Sequence, residues 1–342
     1  MRILVRPRLP VVALLFLAPA IPELLTGSTP VSLVLQGPLG VLDFLFRFFA
    51  DMALYGTGAL LIREFAAAYR KGWPSILLLG AAYGIAEEGF AVHTFFQTTG
   101  SPVDALGWYG HAFGVNWLWA LGLTAFHTTY SIALPILLCQ LWFPEVRAVR
   151  WLSGGSVMLT AAVYLLIVGV FALVVGHGPS VPALAFFLAV SAGLLLLAWW
   201  APPSLLAPRP GPTRASRTGL VIAGTGGFDA WVIALAFAGI GRIPALFAGL
   251  EIVGVNLCLL TYLLRFVGRD DLESAEFYFA TGMLLALFGW DIPIGFSDPG
   301  VQVVALFFAF AQYRLGIRVL QRATKQRESA IQLPRSPPLA GA

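Results

Sequence analysis

Charged residues are scarce in this sequence. They make up 11% of the 342 residues, whereas about a quarter is usual in a soluble globular protein. Hydrophobic residues make up 58%, and the mean hydropathy is +0.83. This composition excludes an ordinary soluble protein, and it excludes a disordered chain, which has too few apolar residues to form a core. The remaining class is a polytopic membrane protein whose main partner is the lipid bilayer.

Several kinds of chemistry lack the residues that they need. Cys139 and Cys258 are the two cysteines, both lie in apolar runs, and they form neither a disulfide framework nor a CxxC pair. The sequence has no GxxxxGK[ST] phosphate loop, no GxSxG elbow and no HExxH zinc motif. No spacing favours haem or an iron–sulfur cluster. We therefore predict no cofactor.

Long apolar runs dominate what is present. A helix needs about 20 mostly apolar residues to cross the hydrocarbon core. The first run resembles a signal peptide, but we interpret it as a retained helix, because Ala18-Pro19-Ala20 is a poor cleavage signal and further spans follow. The sequence predicts an all-α, polytopic transmembrane helix bundle of ten spans, at residues 9–27, 34–62, 75–97, 112–143, 155–176, 182–200, 219–240, 244–265, 275–290 and 300–318.

Basic residues fall on one side of these spans. If the N-terminus is cytoplasmic, 19 of the 21 lysines and arginines lie in cytoplasmic segments, Arg47 lies within a span, and Arg242 alone lies outside. One missed span would invert every later loop, so this positive-inside bias supports the span count. We expect both termini in the cytoplasm, in the plasma membrane of a prokaryote. The net charge of +4 then reflects orientation, and we expect no nucleic-acid partner.

Two polar stretches divide the chain. Residues 201–218 are rich in proline and basic residues, which predicts a cytoplasmic linker. Residues 319–342 are polar and contain proline, which predicts a disordered cytoplasmic tail. The remaining parts are residues 1–200, with spans one to six and the candidate polar site, and residues 219–318, with spans seven to ten.

Span two carries an ionic series. Asp43, Arg47 and Asp51 are spaced at i, i+4 and i+8, so they share one helical face. Charges within a bilayer cost about 2.5–3.5 kcal/mol each on insertion scales. Because Arg47 can bridge both carboxylates, we favour an internal ion ladder that neutralises itself. The alternative is a substrate or proton path.

Span three carries adjacent glutamates, Glu87 and Glu88, near its middle. No lysine or arginine occurs between Lys71 and Arg147, so neighbouring sequence cannot neutralise them. Gly80 and Gly84 form a small-residue face that predicts close packing against another helix. Successive helix positions point about 100° apart, so the two carboxylates are not expected to share one narrow contact. We favour a functional role for this pair over a packing role.

Span four carries His127. If spans three and four run in opposite directions, Glu88 lies about 14 Å and His127 about 23 Å below the outer ends. The spacing leaves open whether the two side chains meet. A buried histidine alone would indicate a core hydrogen bond, but beside two glutamates it becomes a candidate general acid or base. Glu87, Glu88, His93 and His127 can also supply metal ligands, although no spacing demands a metal.

Four further polar residues lie in or near the spans. His93, Asn116, Asp229 and Glu251 are candidates for a substrate site or a polar core. Packing, capping or turn chemistry is the simpler role for each of them. Asp229 and Glu251 are the better functional candidates, because neither has an evident countercharge in the neighbouring sequence.

Glu87 and Glu88 in one span, followed by His127 in the next, resemble the CPBP family of intramembrane proteases, which includes the CAAX prenyl endopeptidases and bacteriocin-processing relatives. The family pattern is EExxxR, then FxxxH, then HxxxN, on separate membrane helices. The resemblance implies that glutamate and histidine activate water for peptide hydrolysis, with Glu87 as the base. It covers only the two spans that hold these residues.

The sequence departs from that family pattern in each motif. Val92 occupies the arginine position of the first motif, and Leu123 occupies the phenylalanine position of the second. No HxxxN follows, because His177 is the only later histidine and Val181 stands four residues after it. The resemblance therefore implies a divergent member of the family.

Three functions stay open. An intramembrane hydrolase would bring Glu87, Glu88 and His127 together to act on a membrane-embedded peptide or small molecule. A secondary transporter would assemble a midplane site from the other ionisable residues of the spans. A scaffold without chemistry would have a dry core with every carboxylate paired.

Overall fold

The computed structural model describes residues 8–99, 107–175, 178–240 and 243–332. These residues are mostly helical, which confirms the all-α class. The one sheet among them is an antiparallel hairpin of β1 (His111–Ala112) and β2 (Val115–Asn116). His177 and Arg242 lie outside the described residues.

The described residues form α-helices joined by short connections. Short 3-10 helices occur at Val31–Leu35, Thr94–Phe96, Pro144–Val146 and Pro203–Leu206. The α-helices in chain order are α1 (Arg8–Pro19), α2 (Gly37–Asp51), α3 (Thr57–Ala68), α4 (Trp73–Ile85), α5 (Trp117–Phe126), α6 (Leu134–Trp142), α7 (Gly154–Val174), α8 (Val181–Trp200), α9 (Arg217–Ile240), α10 (Ala245–Phe266), α11 (Leu272–Ile294) and α12 (Pro299–Gln332).

Four π-helical segments interrupt or extend these helices. They are π1 (Ala20–Leu24) after α1, π2 (Met52–Gly56) between α2 and α3, π3 (Ala86–Ala91) after α4, and π4 (His127–Ala133) between α5 and α6. The predicted spans 34–62 and 112–143 are therefore each two α-helices joined by a π segment. Such segments are rare and are often found at functional sites.

Each predicted span coincides with helix in the structure. Seven helices within the described ranges are long and apolar enough to cross a membrane, which supports a helical membrane protein. The ten-span topology and the cytoplasmic position of both termini stay predictions. The seven helices are Gly37–Ala68, Trp117–Trp142, Gly154–Val174, Val181–Trp200, Ala245–Phe266, Leu272–Ile294 and Pro299–Gln326.

Two glycines set the closest helix crossing near the predicted site. A Cβ atom on Gly80 would lie 3.1 Å from Thr128 Cα, and one on Gly84 would lie 3.1 Å from His127 Cβ and 3.2 Å from Thr124 Cα. These distances are shorter than ordinary van der Waals contact, so only glycine lets the backbones approach this closely. The predicted small-residue face is confirmed, and it packs α4 against α5 and π4.

Helices α9, α10 and α11 contact the first half of the chain at several places, of which two are apolar clusters. Leu118 on α5 packs with Ala248 and Ile252 on α10. Leu137 on α6 and Leu284 on α11 belong to another apolar cluster. The two contacts hold the halves of the molecule together at different places.

The predicted linker is held against the turn between α10 and α11. Arg209 and Gly268 form an isolated parallel β-bridge. Thr213 N and Thr213 Oγ1 both donate to Asp271 Oδ1, at 2.8 Å and 2.5 Å. The segment thus has defined backbone partners.

Helix α12 extends further than the sequence analysis expected. It continues to Gln332, whereas a disordered tail was predicted from residue 319. Arg322 holds this extension, because its guanidinium donates to Glu273 Oε1 on α11 and to Leu141 O at 2.9 Å. Residues 333–342 lie outside the described residues.

A buried ion pair fixes the turn that follows α6. Arg63 on α3 is 2% exposed, although its place in the sequence, among the basic residues that indicate orientation, did not predict burial. Its Nη1 lies 2.5 Å from Glu64 Oε1, and its Nη2 donates to the carbonyls of Val146 and Val149 at 2.9 Å and 2.6 Å. The guanidinium also stacks on the Trp151 ring, 3.6 Å from the centroid. This Arg63 anchor closes the bundle at the end away from π3.

Candidate functional site

Glu87, Glu88 and His127 meet in the interior of the bundle. His127 Nε2 lies 2.9 Å from Glu88 Oε1, and His127 Nδ1 lies 3.2 Å from Glu87 Oε2. The three residues are 2%, 7% and 3% exposed, respectively. The distances answer the question that the sequence left open. We call these residues the Glu–Glu–His cluster.

Helix geometry explains how adjacent glutamates reach one imidazole. Glu87 and Glu88 lie on π3, and His127 begins π4, directly beyond the crossing at Gly84. The two carboxylates point in different directions, as expected for neighbouring helix positions. They still share the imidazole, because each faces a different ring nitrogen.

Hydrogen bonds hold the cluster in place. Ser131, one turn further along π4, has its Oγ 2.9 Å from His127 Nδ1. Thr94 Oγ1 donates to Glu88 Oε2, and Trp119 Nε1 donates to Thr94 Oγ1 at 3.0 Å. Glu88 is therefore anchored on both oxygens. By contrast, Glu87 Oε2 is buried without a hydrogen-bond partner among the described residues.

Aromatic rings form much of the wall around His127. The ring centroids of Phe126, Tyr55 and Tyr83 lie 5.5 Å, 5.9 Å and 6.3 Å from the imidazole centroid. These rings keep the surroundings poor in water, where electrostatic interactions are stronger than in solution. Among the residues that the structure describes, no lysine or arginine forms an ion pair with Glu87 or Glu88. The imidazole of His127 is the basic group that contacts both carboxyl groups.

A third carboxylate, Glu23, lies close to the cluster. Tyr55 Oη donates to Glu23 Oε1 at 2.6 Å, while the Tyr55 ring contacts His127. Thr29 Oγ1 lies 3.4 Å from Glu23 Oε2 and 2.9 Å from Asp51 Oδ2. A hydroxyl has one proton to donate, so Thr29 serves one carboxylate at a time unless the other carries a proton. This polar chain runs from Asp51 through Thr29 and Glu23 to Tyr55.

Glu23 and Tyr55 were not among the residues predicted from the sequence. Glu23 lies within the predicted span 9–27, which contains no basic residue. Arg8 lies just before the opposite end of that span. An ionisable side chain within the bilayer is costly at Glu23 as it is at Glu87 and Glu88, so Glu23 could have been identified as a candidate on the same physical ground. Tyr55 carried no such signal, because aromatic residues are common throughout membrane spans.

The predicted ladder on α2 forms only in part. Arg47 Nε lies 3.0 Å from Asp43 Oδ1, in a pair whose side chains are 54% and 42% exposed. Asp51 instead accepts a hydrogen bond from Thr29. Arg47 therefore does not serve as the bridge of a buried ladder.

The other residues predicted for the site are not part of the Glu–Glu–His cluster. Asn116 is a cap, because its Oδ1 accepts from Trp119 N at 3.1 Å and begins α5. His93 is buried in left-handed backbone, with φ of 58°, and its ring contacts Phe96. Asp229 is exposed on α9, and Glu251 is half-buried on α10. Capping is confirmed for Asn116.

The cluster can also accept a metal ion. Glu87, Glu88 and His127 each offer one ligand atom, and these atoms lie within 4.8 Å of one another. Carboxylate oxygens and imidazole nitrogens bind Zn²⁺ at about 2.0–2.2 Å, so modest movement would bring all three into range. The donor set thus suits either direct acid–base chemistry or a divalent cation.

Comparison of the chain with protein-family models, curated proteins and solved structures gave no match. The fold and site define a helical membrane protein with a buried Glu–Glu–His cluster. The resemblance to CPBP proteases therefore stays an expectation from Glu87, Glu88 and His127 alone.

Proposed function

We propose that this protein is an intramembrane hydrolase in which the Glu–Glu–His cluster activates water. One observation carries the proposal: the His127 imidazole lies between two buried carboxylates, at 2.9 Å and 3.2 Å. A carboxylate and a histidine in a site poor in water form a sound general-base arrangement. The substrate class is a membrane-embedded peptide or a small molecule with a hydrolysable bond, and the setting is the plasma membrane of a prokaryote.

Each member of the cluster has a distinct proposed role. Glu88 positions the imidazole, because Thr94 and His127 engage both of its oxygens. Glu87 is the base, because its Oε2 is buried without a hydrogen-bond partner among the described residues. In this proposal the attacking water donates a hydrogen bond to this oxygen and then transfers its proton to it.

Hydrolysis of a peptide bond would then proceed in two steps. The water oxygen attacks the carbonyl carbon while Glu87 takes the water proton, which gives a tetrahedral intermediate with a negative oxygen. The intermediate collapses, the C–N bond breaks, and the proton on Glu87 passes to the leaving nitrogen. His127 contacts both carboxyl groups and holds Glu87 and Glu88 in position during both steps.

The same contacts argue against a purely structural scaffold. A scaffold was expected to have every carboxylate paired. Asp291 is 2% exposed, and neither of its oxygens has a hydrogen-bond partner among the described residues. Glu251 has one such oxygen. Unpaired carboxylate oxygens in the interior are costly, and a scaffold gains nothing from them.

A proton-coupled transporter is the second candidate, and one observation favours it. The chain Asp51–Thr29–Glu23–Tyr55 leads from the half-buried Asp51 towards the cluster. Carboxylates in series are typical of proton relays in transporters. A transporter would move protons in the absence of any bond cleavage, whereas a hydrolase would not.

The test uses the full chain reconstituted in lipid vesicles with a library of membrane-spanning peptides. Cleavage in ¹⁸O-labelled water, followed by mass spectrometry, reports new carboxyl termini that carry the label. We expect Glu87→Gln and His127→Gln to reduce cleavage about 10²–10⁴-fold, and Glu251→Gln to leave it unchanged. Equal cleavage by all four proteins, or no cleavage by the wild type, would overturn the proposal. A pH-sensitive dye inside the same vesicles detects proton transport.

A further inference from the structure

Tyr83 on α4 carries a buried hydroxyl that makes no hydrogen bond among the described residues. The residue is 3% exposed. A buried tyrosine hydroxyl usually has a hydrogen-bond partner, because folding removes its contacts with water. The structure gives this hydroxyl no role in holding the fold together, so a role in binding or chemistry is the alternative to consider.

Tyr83 lies beside the proposed base. It precedes Glu87 by four positions, so the two side chains share one face of the continuous helix that α4 and π3 form. The Tyr83 hydroxyl is next to the Glu87 carboxyl group, but the two groups do not form a hydrogen bond of ordinary geometry. A donor that is not engaged therefore lies next to the oxygen that the attacking water faces in the proposed mechanism.

The Tyr83 ring is fixed by its neighbours. Its centroid lies 6.0 Å from the ring centroid of Tyr55 and 6.1 Å from that of Tyr164 on α7. On α3, a Cβ atom on Gly58 would lie 2.5 Å from Tyr83 Cε2, so glycine at this position leaves the room that the ring needs. The direction of the hydroxyl is therefore set in advance, as is required of a donor that stabilises a developing charge.

Three other hydroxyls around the cluster already have polar partners. The pairs are Tyr55 with Glu23, Thr94 with Glu88, and Ser131 with His127. The Tyr83 hydroxyl differs from these three, because no described residue accepts its proton. It is the one of the four that is available to a substrate.

The Tyr83 side of the cluster is close to the surroundings of the bundle. Tyr164, which contacts the Tyr83 ring, belongs to α7, and none of the described residues Gly154–Val174 of that helix is buried. Helix α7 is therefore an outer helix, and the medium beside it in a membrane protein is lipid. One helix separates Tyr83 from the medium that would hold a membrane-embedded substrate.

We propose that Tyr83 is a further catalytic residue of the hydrolase, whose hydroxyl donates a hydrogen bond to the carbonyl oxygen of the scissile bond. This inference rests on the proposed function. When water attacks, the carbonyl oxygen becomes negative, and the hydrogen bond from Tyr83 becomes stronger in the tetrahedral intermediate than in the bound substrate. The proton stays on Tyr83 throughout, and no covalent bond to this residue forms or breaks.

The experiment measures kcat and KM of the full chain in lipid vesicles with two peptides. One is the peptide that the wild type cleaves fastest in the membrane-spanning library, and the other has sulfur in place of its scissile carbonyl oxygen. Sulfur is the weaker hydrogen-bond acceptor. We expect Tyr83→Phe to lower kcat for the oxygen peptide about 10²-fold with little change in KM. The loss should be smaller for the sulfur peptide, whereas a merely structural role would lower both rates equally.

Tyr130→Phe is the matched control. Tyr130 is 2% exposed and its hydroxyl also lacks a hydrogen-bond partner among the described residues, but its ring packs against Phe228 on α9. We expect this variant to cleave both peptides at the wild-type rate. Gly58→Ala displaces the Tyr83 ring without removing its hydroxyl, and it should lower kcat in the same direction as Tyr83→Phe. Thermal unfolding in detergent checks that each variant is folded.

The outcomes separate this inference from the proposed function. If Tyr83→Phe keeps the wild-type kcat while Glu87→Gln shows its expected loss, the role of Tyr83 is overturned and the hydrolase is retained. Equal fractional losses of Tyr83→Phe on the two peptides would assign this residue a structural role and would also overturn the inference. If the wild type cleaves no peptide, the hydrolase itself is overturned, and the role of Tyr83 with it.

Discussion

Glu88 Oε1 and His127 Nε2 lie 2.9 Å apart, although 39 residues separate them along the chain. The contact depends on the crossing of α4 with π4 at Gly84, one turn before the glutamates. Close packing at this glycine brings both carboxylates to the imidazole. The site is thus a property of helix packing, and changes in the packing should affect it.

Substitution of Gly84 should disturb the cluster without removing any of its groups. In Gly84→Ala the new Cβ would lie 3.1 Å from His127 Cβ, so His127 must shift by a few tenths of an ångström. We expect a loss of about 1–3 kcal/mol in the free energy of unfolding and a larger relative loss of hydrolysis. Gly254→Ala on α10 is the control, because its Cβ would meet no atom within 4 Å. Equal stability of the two variants would contradict the prediction.

Thr94 should act through Glu88. Thr94→Val removes the hydrogen bond to Glu88 Oε2, and Glu88→Gln removes the carboxylate that accepts it. In a double-mutant cycle we expect an interaction energy of about 0.5–3 kcal/mol in thermal unfolding, because contacting residues are coupled. Thr261→Val on α10 removes a comparable hydroxyl, and its combination with Glu88→Gln should be additive. If the effects of Thr94→Val and Glu88→Gln on unfolding were purely additive, the hydrogen bond from Thr94 would not position Glu88.

Glu23 and Tyr55 should affect hydrolysis as one unit. They share a hydrogen bond of 2.6 Å, and the Tyr55 ring contacts His127. We expect Glu23→Gln and Tyr55→Phe each to lower the cleavage rate about tenfold, and the double variant to lower it little further. Asp43→Asn serves as the control, since it removes a carboxylate in an exposed pair. Full additivity of the two losses would assign Glu23 and Tyr55 independent roles.

The Arg63 anchor should contribute more to stability than the exposed pair on α2. Arg63→Met removes the nearer of the two cations beside the buried Glu64, because Arg150 Nε lies 3.8 Å from Glu64 Oε2. Loss of one partner of a buried pair typically costs about 3–5 kcal/mol, and Arg150 should reduce that cost. Arg47→Met removes one member of a pair that is exposed on the outer face of α2, and it should cost less than Arg63→Met. Unfolding of both variants in the same detergent gives the comparison. Similar costs would mean that the carbonyls and Trp151 do not depend on the guanidinium.

Much of the architecture followed from the sequence. Apolar length and the scarcity of charge predicted the helices, and Gly80 and Gly84 predicted a close crossing. Whether the side chains of Glu88 and His127 meet could not be predicted from helix lengths alone, because a one-turn error in a helix end moves a side chain by about 5 Å. The structure shows that His127 follows directly after that crossing.

Other features had no clear sequence signal. The i, i+4 spacing of Asp43, Arg47 and Asp51 indicated a ladder, but Thr29 on a preceding loop competes for Asp51. Arg63 served in the sequence only as one of the basic residues that indicate orientation, because its carbonyl partners lie more than 80 residues away. The extension of α12 depends on the contact of Arg322 with Glu273 and Leu141, which a single sequence does not reveal.

The four π segments have a consequence for how the interior is assembled. Glu23, Tyr55, Glu87 and His127 each lie on a different one of them. A π turn contains one residue more than an α turn, so it changes the helical phase of the residues that follow. Deleting one residue from any of these segments would restore the α repeat and rotate the flanking side chains by about 100° relative to one another. The orientation of these four side chains therefore depends on the helical phase of the backbone. Deletion of a neighbouring residue would move the four side chains apart even though all four were still present.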